Sequence, residues 1–121
     1  MRAVAVTLVA ALAVADCGSS AVGAVPEGTH TLSAHLAGAM KKCWFSGDAA
    51  FAPYRYTPEV NAGVPRILVV SRKEPNGRPL LVVEPIGTIT ANAYGPLLAG
   101  KLSQRIQDDL RRWLKGGSDC N

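Results

Sequence analysis

The stretch Arg66-Ile67-Leu68-Val69-Val70-Ser71-Arg72-Lys73-Glu74-Pro75-Asn76-Gly77-Arg78-Pro79-Leu80-Leu81-Val82-Val83-Glu84-Pro85 decides the fold. Two aliphatic runs flank Pro75-Asn76-Gly77, a strong hairpin signal. Pro75 presets φ for the second position of a type I turn, Asn76 suits the third, and Gly77 supplies a left-handed residue for a G1 bulge. A three-residue loop pairs Glu74 with Arg78, Arg72 with Leu80, Val70 with Val82 and Val69 with Val83. One face then carries Ile67, Val69, Ser71, Leu81 and Val83, and the other carries Leu68, Val70, Leu80 and Val82 with charges towards its ends. Side chains alternate along a strand, so only one face can be core. The less charged, odd-numbered face is assigned to it.

Outward from the hairpin, Tyr54-Arg55-Tyr56-Thr57-Pro58-Glu59-Val60 alternates with period two, and Pro58 restricts it to a sheet edge. Asn61-Ala62-Gly63 turns it into the hairpin. The result is an antiparallel meander of three strands, or four if Ile86 to Ala91 extends it.

Upstream, Thr29 or Thr31 is placed to cap a helix running to about Cys43, with Leu32, Leu36, Ala39, Met40 and Cys43 on one face. Lys41 and Lys42 fall in its last turn, where cations suit the macrodipole. Cys43-Trp44-Phe45 turns inward at the helix end, and Ser46-Gly47-Asp48 is a turn. Downstream, an amphipathic helix is expected from about Ala93 to Lys115. Leu98, Ala99, Leu102, Ile106, Leu110, Trp113 and Leu114 share an arc, and Asp109 is the single charge inside its edge. Gly116-Gly117 ends it. The fold class is therefore α+β: two layers, with both helices on the odd-numbered sheet face. No second layer covers the even face, so Leu68, Val70, Leu80 and Val82 become a docking surface.

A chain of 121 residues allows one domain. At 48% hydrophobic and 18% charged, the composition is that of a folded protein. The net charge of +4 is unchanged if residues 1–16 are removed, because Arg2 and Asp16 leave together. Those residues read as an export signal: one arginine, then an apolar run from Ala3 to Ala15 too short to span a bilayer. Ala13-Val14-Ala15 is a small-x-small site for cleavage before Asp16. Residues 17–29 form a Gly, Ser and Pro-rich linker, and 30–121 the domain.

Val14-Ala15-Asp16-Cys17-Gly18-Ser19-Ser20 also resembles the lipobox of bacterial lipoproteins, with Asp16 standing where that family has a small residue. The resemblance covers only the first 20 or so residues. It implies lipid on Cys17, a tether from Gly18 onward, and residence on the periplasmic side of the outer or inner membrane. Gly18 fits the outer-membrane sorting pattern. Cleavage before Asp16 instead implies a soluble periplasmic protein. Of the three cysteines, a lipid on Cys17 leaves Cys43 and Cys120 to pair. Two antiparallel helices on one sheet bring those two together in an oxidising compartment.

His30 and His35 do not share a helix face and no cysteine pair has zinc spacing, so no metal site is assigned. Cys43 with His35 as a nucleophilic pair gives way to the disulfide. Phosphate loops and a nucleophile elbow are absent from the sequence, so no cofactor or catalytic residue is assigned. Arg72, Lys73 and Arg78 at the hairpin tip suit lipid head groups, peptidoglycan carboxylates or an acidic protein, unless Glu74 pairs with Arg78. Arg111, Arg112 and Lys115 are accounted for by Asp108, Asp109 and the helix terminus. Nucleic acid does not fit an exported chain without interleaved aromatics. The expected function is non-catalytic docking on an envelope component, through the tip or the even face. A second copy on that face is a further partner. A soluble periplasmic binding or inhibitor protein and a small periplasmic enzyme are the alternatives.

Overall fold

A computed structural model describes residues 25–59 and 63–121. The expected export segment, Cys17, most of the expected linker and Val60-Asn61-Ala62 lie outside the described residues.

Helix α1 spans Thr29–Cys43, and Leu32, Leu36, Ala39, Met40 and Cys43 are all buried. Its N-cap is neither threonine but Gly28, left-handed at φ 88°. Thr29 begins the helix and its Oγ1 accepts from the Gly87 N–H at 2.7 Å. The hydroxyl that a cap would use thus ties the helix to a distant turn.

A single 3₁₀ turn, Ala49–Phe51, is capped by the Asp48 carboxylate, which accepts from the Ala50 N–H at 2.9 Å. Strands β1 (Tyr54–Glu59), β2 (Arg66–Ser71), β3 (Leu81–Ile86) and β4 (Thr90–Tyr94) follow, in the sheet order β1-β2-β3-β4. All three pairings are antiparallel, and β1 with Pro58 is an edge as expected.

The central hairpin keeps its predicted faces but not its predicted register. Ile67 pairs with Val83, Leu68 with Val82 and Val69 with Leu81, two residues away from the tight-loop arrangement. A shift of two leaves every side chain on its own face; a shift of one would have inverted the core. The cause is at the loop. The Arg72 N–H donates to the Pro53 carbonyl at 2.9 Å and its Nε to Ala52 at 3.0 Å, so Arg72 bonds beside β1 instead of across to Leu80. The chain then makes two successive turns, Glu74 N–H to Ser71 O and Gly77 N–H to Glu74 O, before Leu80 N–H returns to Val69 O at 2.7 Å. The Pro75-Asn76 turn forms, whereas Gly77 is not left-handed and the G1 bulge is absent. At the other end the register carries Pro65 opposite Pro85. Neither has an N–H, so the ladder stops at Ile67–Val83.

The long C-terminal helix is shorter than its apolar arc suggested. Thr90 to Tyr94 form β4, Pro96–Ala99 are a 3₁₀ turn, and α2 covers only Ser103–Leu114. Gly95 is the break. It sits at φ 135°, and a Cβ there would run into the Leu80 carbonyl, so the chain must cross β3 at a glycine. Pro96 then opens the 3₁₀ turn, where its missing N–H is harmless.

The odd face is the core. Ile67, Val69, Leu81 and Val83 are fully buried with Leu36, Met40, Trp44, Phe51, Ile106 and Trp113, and α1 packs on β3 and β2. Trp44 stacks on Phe51 with ring centroids 4.7 Å apart and meets Trp113 at 5.2 Å. Cys43 and Cys120 form a disulfide with Cα atoms 5.1 Å apart. The tail leading to Cys120 is also fixed: His35 Nε2 donates to Gly117 O at 2.8 Å, Lys42 Nζ to Ser118 O at 3.1 Å, and Trp113 Nε1 to Asp119 O at 2.9 Å. The two-layer α+β architecture stands as expected.

Candidate functional site

On the even face, Val70 is 4% and Val82 6% exposed, so little of either reaches the surface. The register sets Arg55 beside Val70 and Tyr94 beside Val82. Long amphipathic side chains close over aliphatic neighbours in this way while keeping their polar ends wet. Leu68 and Leu80 are half-buried. The face is thus coated by its own polar side chains: Arg66 pairs with Glu59, and Tyr94 Oη donates to Glu84 Oε1 at 2.8 Å. The Glu84 bond raises the Tyr94 pKa, and the Glu59 bond raises that of Arg66.

The basic tip is exposed. Arg72 is tied at its base by the bonds to Ala52 and Pro53, and the Lys73 N–H donates to Ser71 Oγ at 3.2 Å. Arg78 does not pair with Glu74. Among the described residues the ion pairs join Glu59–Arg66, Asp48–Arg105, Asp109–Arg105, Asp108–Arg111 and Asp109–Arg112, and none involves Arg72, Lys73 or Arg78. Beside the tip runs an open groove of about 490 Å³, lined by Arg66, Arg78, Pro79, Val82, Tyr94, Gly95 and Pro96. Arg66 and Tyr94 are already engaged by Glu59 and Glu84, which leaves Arg78, over a floor of valine and prolines, as the group that can seat an anion carrying an apolar body. Of the residues expected from sequence to bind, Arg78 and Val82 meet here. Leu68, Val70, Arg72, Lys73 and Leu80 lie outside the lining. Arg66 and Tyr94 were missed, Tyr94 because it was assigned to a helix.

A second polar cluster locks α2 to the start of the sheet. Arg105 reaches Asp48 at 2.6 Å and Asp109 at 3.5 Å, and its guanidinium lies 5.0 Å from the Phe51 ring centroid. Buried Asp109 accepts from Trp44 Nε1 at 2.7 Å and from Arg112 Nη2 at 2.6 Å. The hydrogen bond from Arg105, with that from the Ala50 N–H, holds the Asp48 carboxyl below its ordinary value. A carboxyl depressed by folding stabilises the fold above its unfolded pKa, and that contribution is lost as pH falls through the folded value. Asp48→Asn is therefore expected to lower stability at neutral pH. Its deficit relative to wild type should shrink as pH falls below about 4, near the unfolded aspartate pKa. Urea titrations of both proteins at several pH values check this, and a pH-independent deficit would refute it.

The ends of the sheet differ. Gly28 packs against Thr88 and Thr29 bonds Gly87, so the chain joins the domain at the β3–β4 turn. Loop 72–80 is at the opposite end, roughly 20 Å away along six-residue strands. Among the described residues no three His, Cys, Asp or Glu side chains are grouped to hold a metal, and no helix is long and apolar enough to cross a membrane. Comparison with protein-family models, with curated proteins and with solved structures finds no match for this chain.

Proposed function

We propose that this is a lipid-anchored protein of the bacterial cell envelope that binds instead of catalysing. In this reading it holds an anionic envelope component, the carboxylate-bearing peptidoglycan, on loop 72–80 and the adjoining groove. The carrying observation is the opposition of the two ends: the chain joins the domain beside Thr88, while Lys73 and Arg78 lie exposed at the far end, with no carboxylate partner among the described residues. An anchor attached through the linker would leave that basic end facing away from the membrane. The disulfide supports the lipid: with Cys43 joined to Cys120, Cys17 has no cysteine left in the chain to pair with. Residues 17–28 extend to at most about 40 Å, enough to hold the domain clear of the head groups.

The full-length protein, purified from membranes, should have residue 17 at its N-terminus with acyl chains attached. It should also cosediment with purified sacculi. Lys73→Glu combined with Arg78→Glu should abolish cosedimentation, whereas Arg111→Glu on α2 should not. A soluble chain starting at Asp16 would replace the anchored reading with the periplasmic one. Equal binding by all variants would remove the basic loop from the proposal.

A further inference from the structure

The two edges of the sheet are built differently. Strand β1 carries Arg55, Pro58 and Glu59, the usual protection against pairing with another chain. Strand β4, Thr90-Ala91-Asn92-Ala93-Tyr94, carries neither charge nor proline. Thr90, Asn92 and Tyr94 are exposed on the even face, with Tyr94 at 47%, while Ala91 and Ala93 turn half-buried towards the helix layer. Among the described residues, no backbone group of residues 90–94 bonds to anything outside the sheet ladder. Among the described residues, one side of β4 is therefore an open row of peptide donors and acceptors.

The order of side chains along β4 selects the occupant of that row. The strand reads nearly the same in both directions about Asn92: a small residue on each side, then a β-branched residue at one end and an aromatic at the other. A twofold axis through Asn92, normal to the sheet, sets Thr90 against the partner's Tyr94, Ala91 against the partner's Ala93, and Asn92 against the partner's Asn92. Each pair joins residues of the same parity, so outward-pointing peptide groups meet outward-pointing peptide groups. The faces match as well, even to even and helix layer to helix layer. Threonine beside tyrosine is a favourable cross-strand pair, and each asparagine amide both donates and accepts. The small alanines keep bulk out of the seam on the helix side. We infer that β4 is a self-pairing edge, through which a second copy of this chain adds antiparallel to form one eight-stranded sheet with all helices on one side. The contact is closed and isologous. It is also short, so the dimer is reversible and concentration-dependent.

Sedimentation of the full chain in density-matched detergent should show a monomer–dimer equilibrium. Asn92→Lys places two like charges opposite each other at the axis. It should shift the protein to monomer while leaving the melting temperature at dilutions where the wild type is monomeric unchanged, since position 92 is exposed. Opposed residues have Cα atoms about 5 Å apart, within reach of a disulfide. Asn92→Cys should therefore oxidise to a reductant-sensitive covalent dimer. Thr90→Cys, about 14 Å from its symmetry mate by strand rise, should not. A chain that stays monomeric at all concentrations would overturn the inference. So would a dimer that Asn92→Lys leaves intact, or crosslinking no more efficient at 92 than at 90. Pairing with an extended segment of another protein would appear as a monomer in isolation, and counts against self-association.

Discussion

Cys43→Ser, or reduction of the Cys43–Cys120 bond, is expected to destabilise the domain by about 4 kcal/mol. The bond closes a loop with a sequence separation of 77 residues. The chain-entropy relation for a loop of that size gives this magnitude, and most of it acts through the unfolded chain. It is a large share of the roughly 5–15 kcal/mol that holds a domain of this kind together. The folded state should look nearly unchanged after reduction. His35, Lys42, Arg112 and Trp113 all bond the carbonyls of residues 117–119 and keep the tail in place. Urea unfolding with and without reductant measures the loss, and thiol counting on the native protein verifies the starting state. A change below about 1 kcal/mol would mean that the unfolded chain is already restrained in some other way.

Asp109→Ala is expected to cost about 3 kcal/mol, at the lower end of the range for breaking a buried charged network. Two consequences set the size. Arg105 and Arg112 lose a carboxylate, but their side chains are 32% and 29% exposed and water can replace part of it. Trp44 is fully buried, so its indole N–H is left without an acceptor. Asp109→Asn keeps an acceptor for the indole and should cost less. Adding Trp44→Phe removes the orphaned donor, so Asp109→Ala with Trp44→Phe should cost less than the sum of the single changes. Strictly additive losses in that double-mutant cycle would show that the indole bond carries none of the effect.

What the sequence disclosed followed from periodicity. Alternation along Ile67–Val70 and Leu81–Val83 identified the buried sheet face, and the spacing of Leu32, Leu36, Ala39, Met40 and Cys43 identified the buried face of α1. Both depend only on which side a residue points. The missed features depend on contacts between distant segments. Pro75-Asn76 forms its local turn, yet the hairpin register answers to Arg72 bonding Ala52 and Pro53, some 20 residues earlier. The apolar spacing of Leu98 and Ala99 continued the α2 arc by coincidence, while Gly95 is needed because the Leu80 backbone passes against it. Asp109 looked like a stray charge at a helix edge because its acceptor role towards Trp44 spans 65 residues. The groove escaped for the same reason: Arg66, Arg78 and Tyr94 come from three segments that only the sheet joins.

The disulfide also makes residues 43–120 a covalent ring, with α1 as the only described helix outside it. A pull applied between the N-terminal side of Thr29 and a ligand held on loop 72–80 passes along α1 and then divides at Cys43. One branch runs through β1 and β2, the other through the sulfur bridge, α2, β4 and β3. Neither branch can lengthen until the other does, so the domain resists extension as a closed belt does, under tension shared by two arms. A single peptide cleavage within the belt opens it without releasing a fragment. A protease acting on loop 72–80 would leave one covalently continuous molecule, its two new ends joined through the Cys43–Cys120 bond.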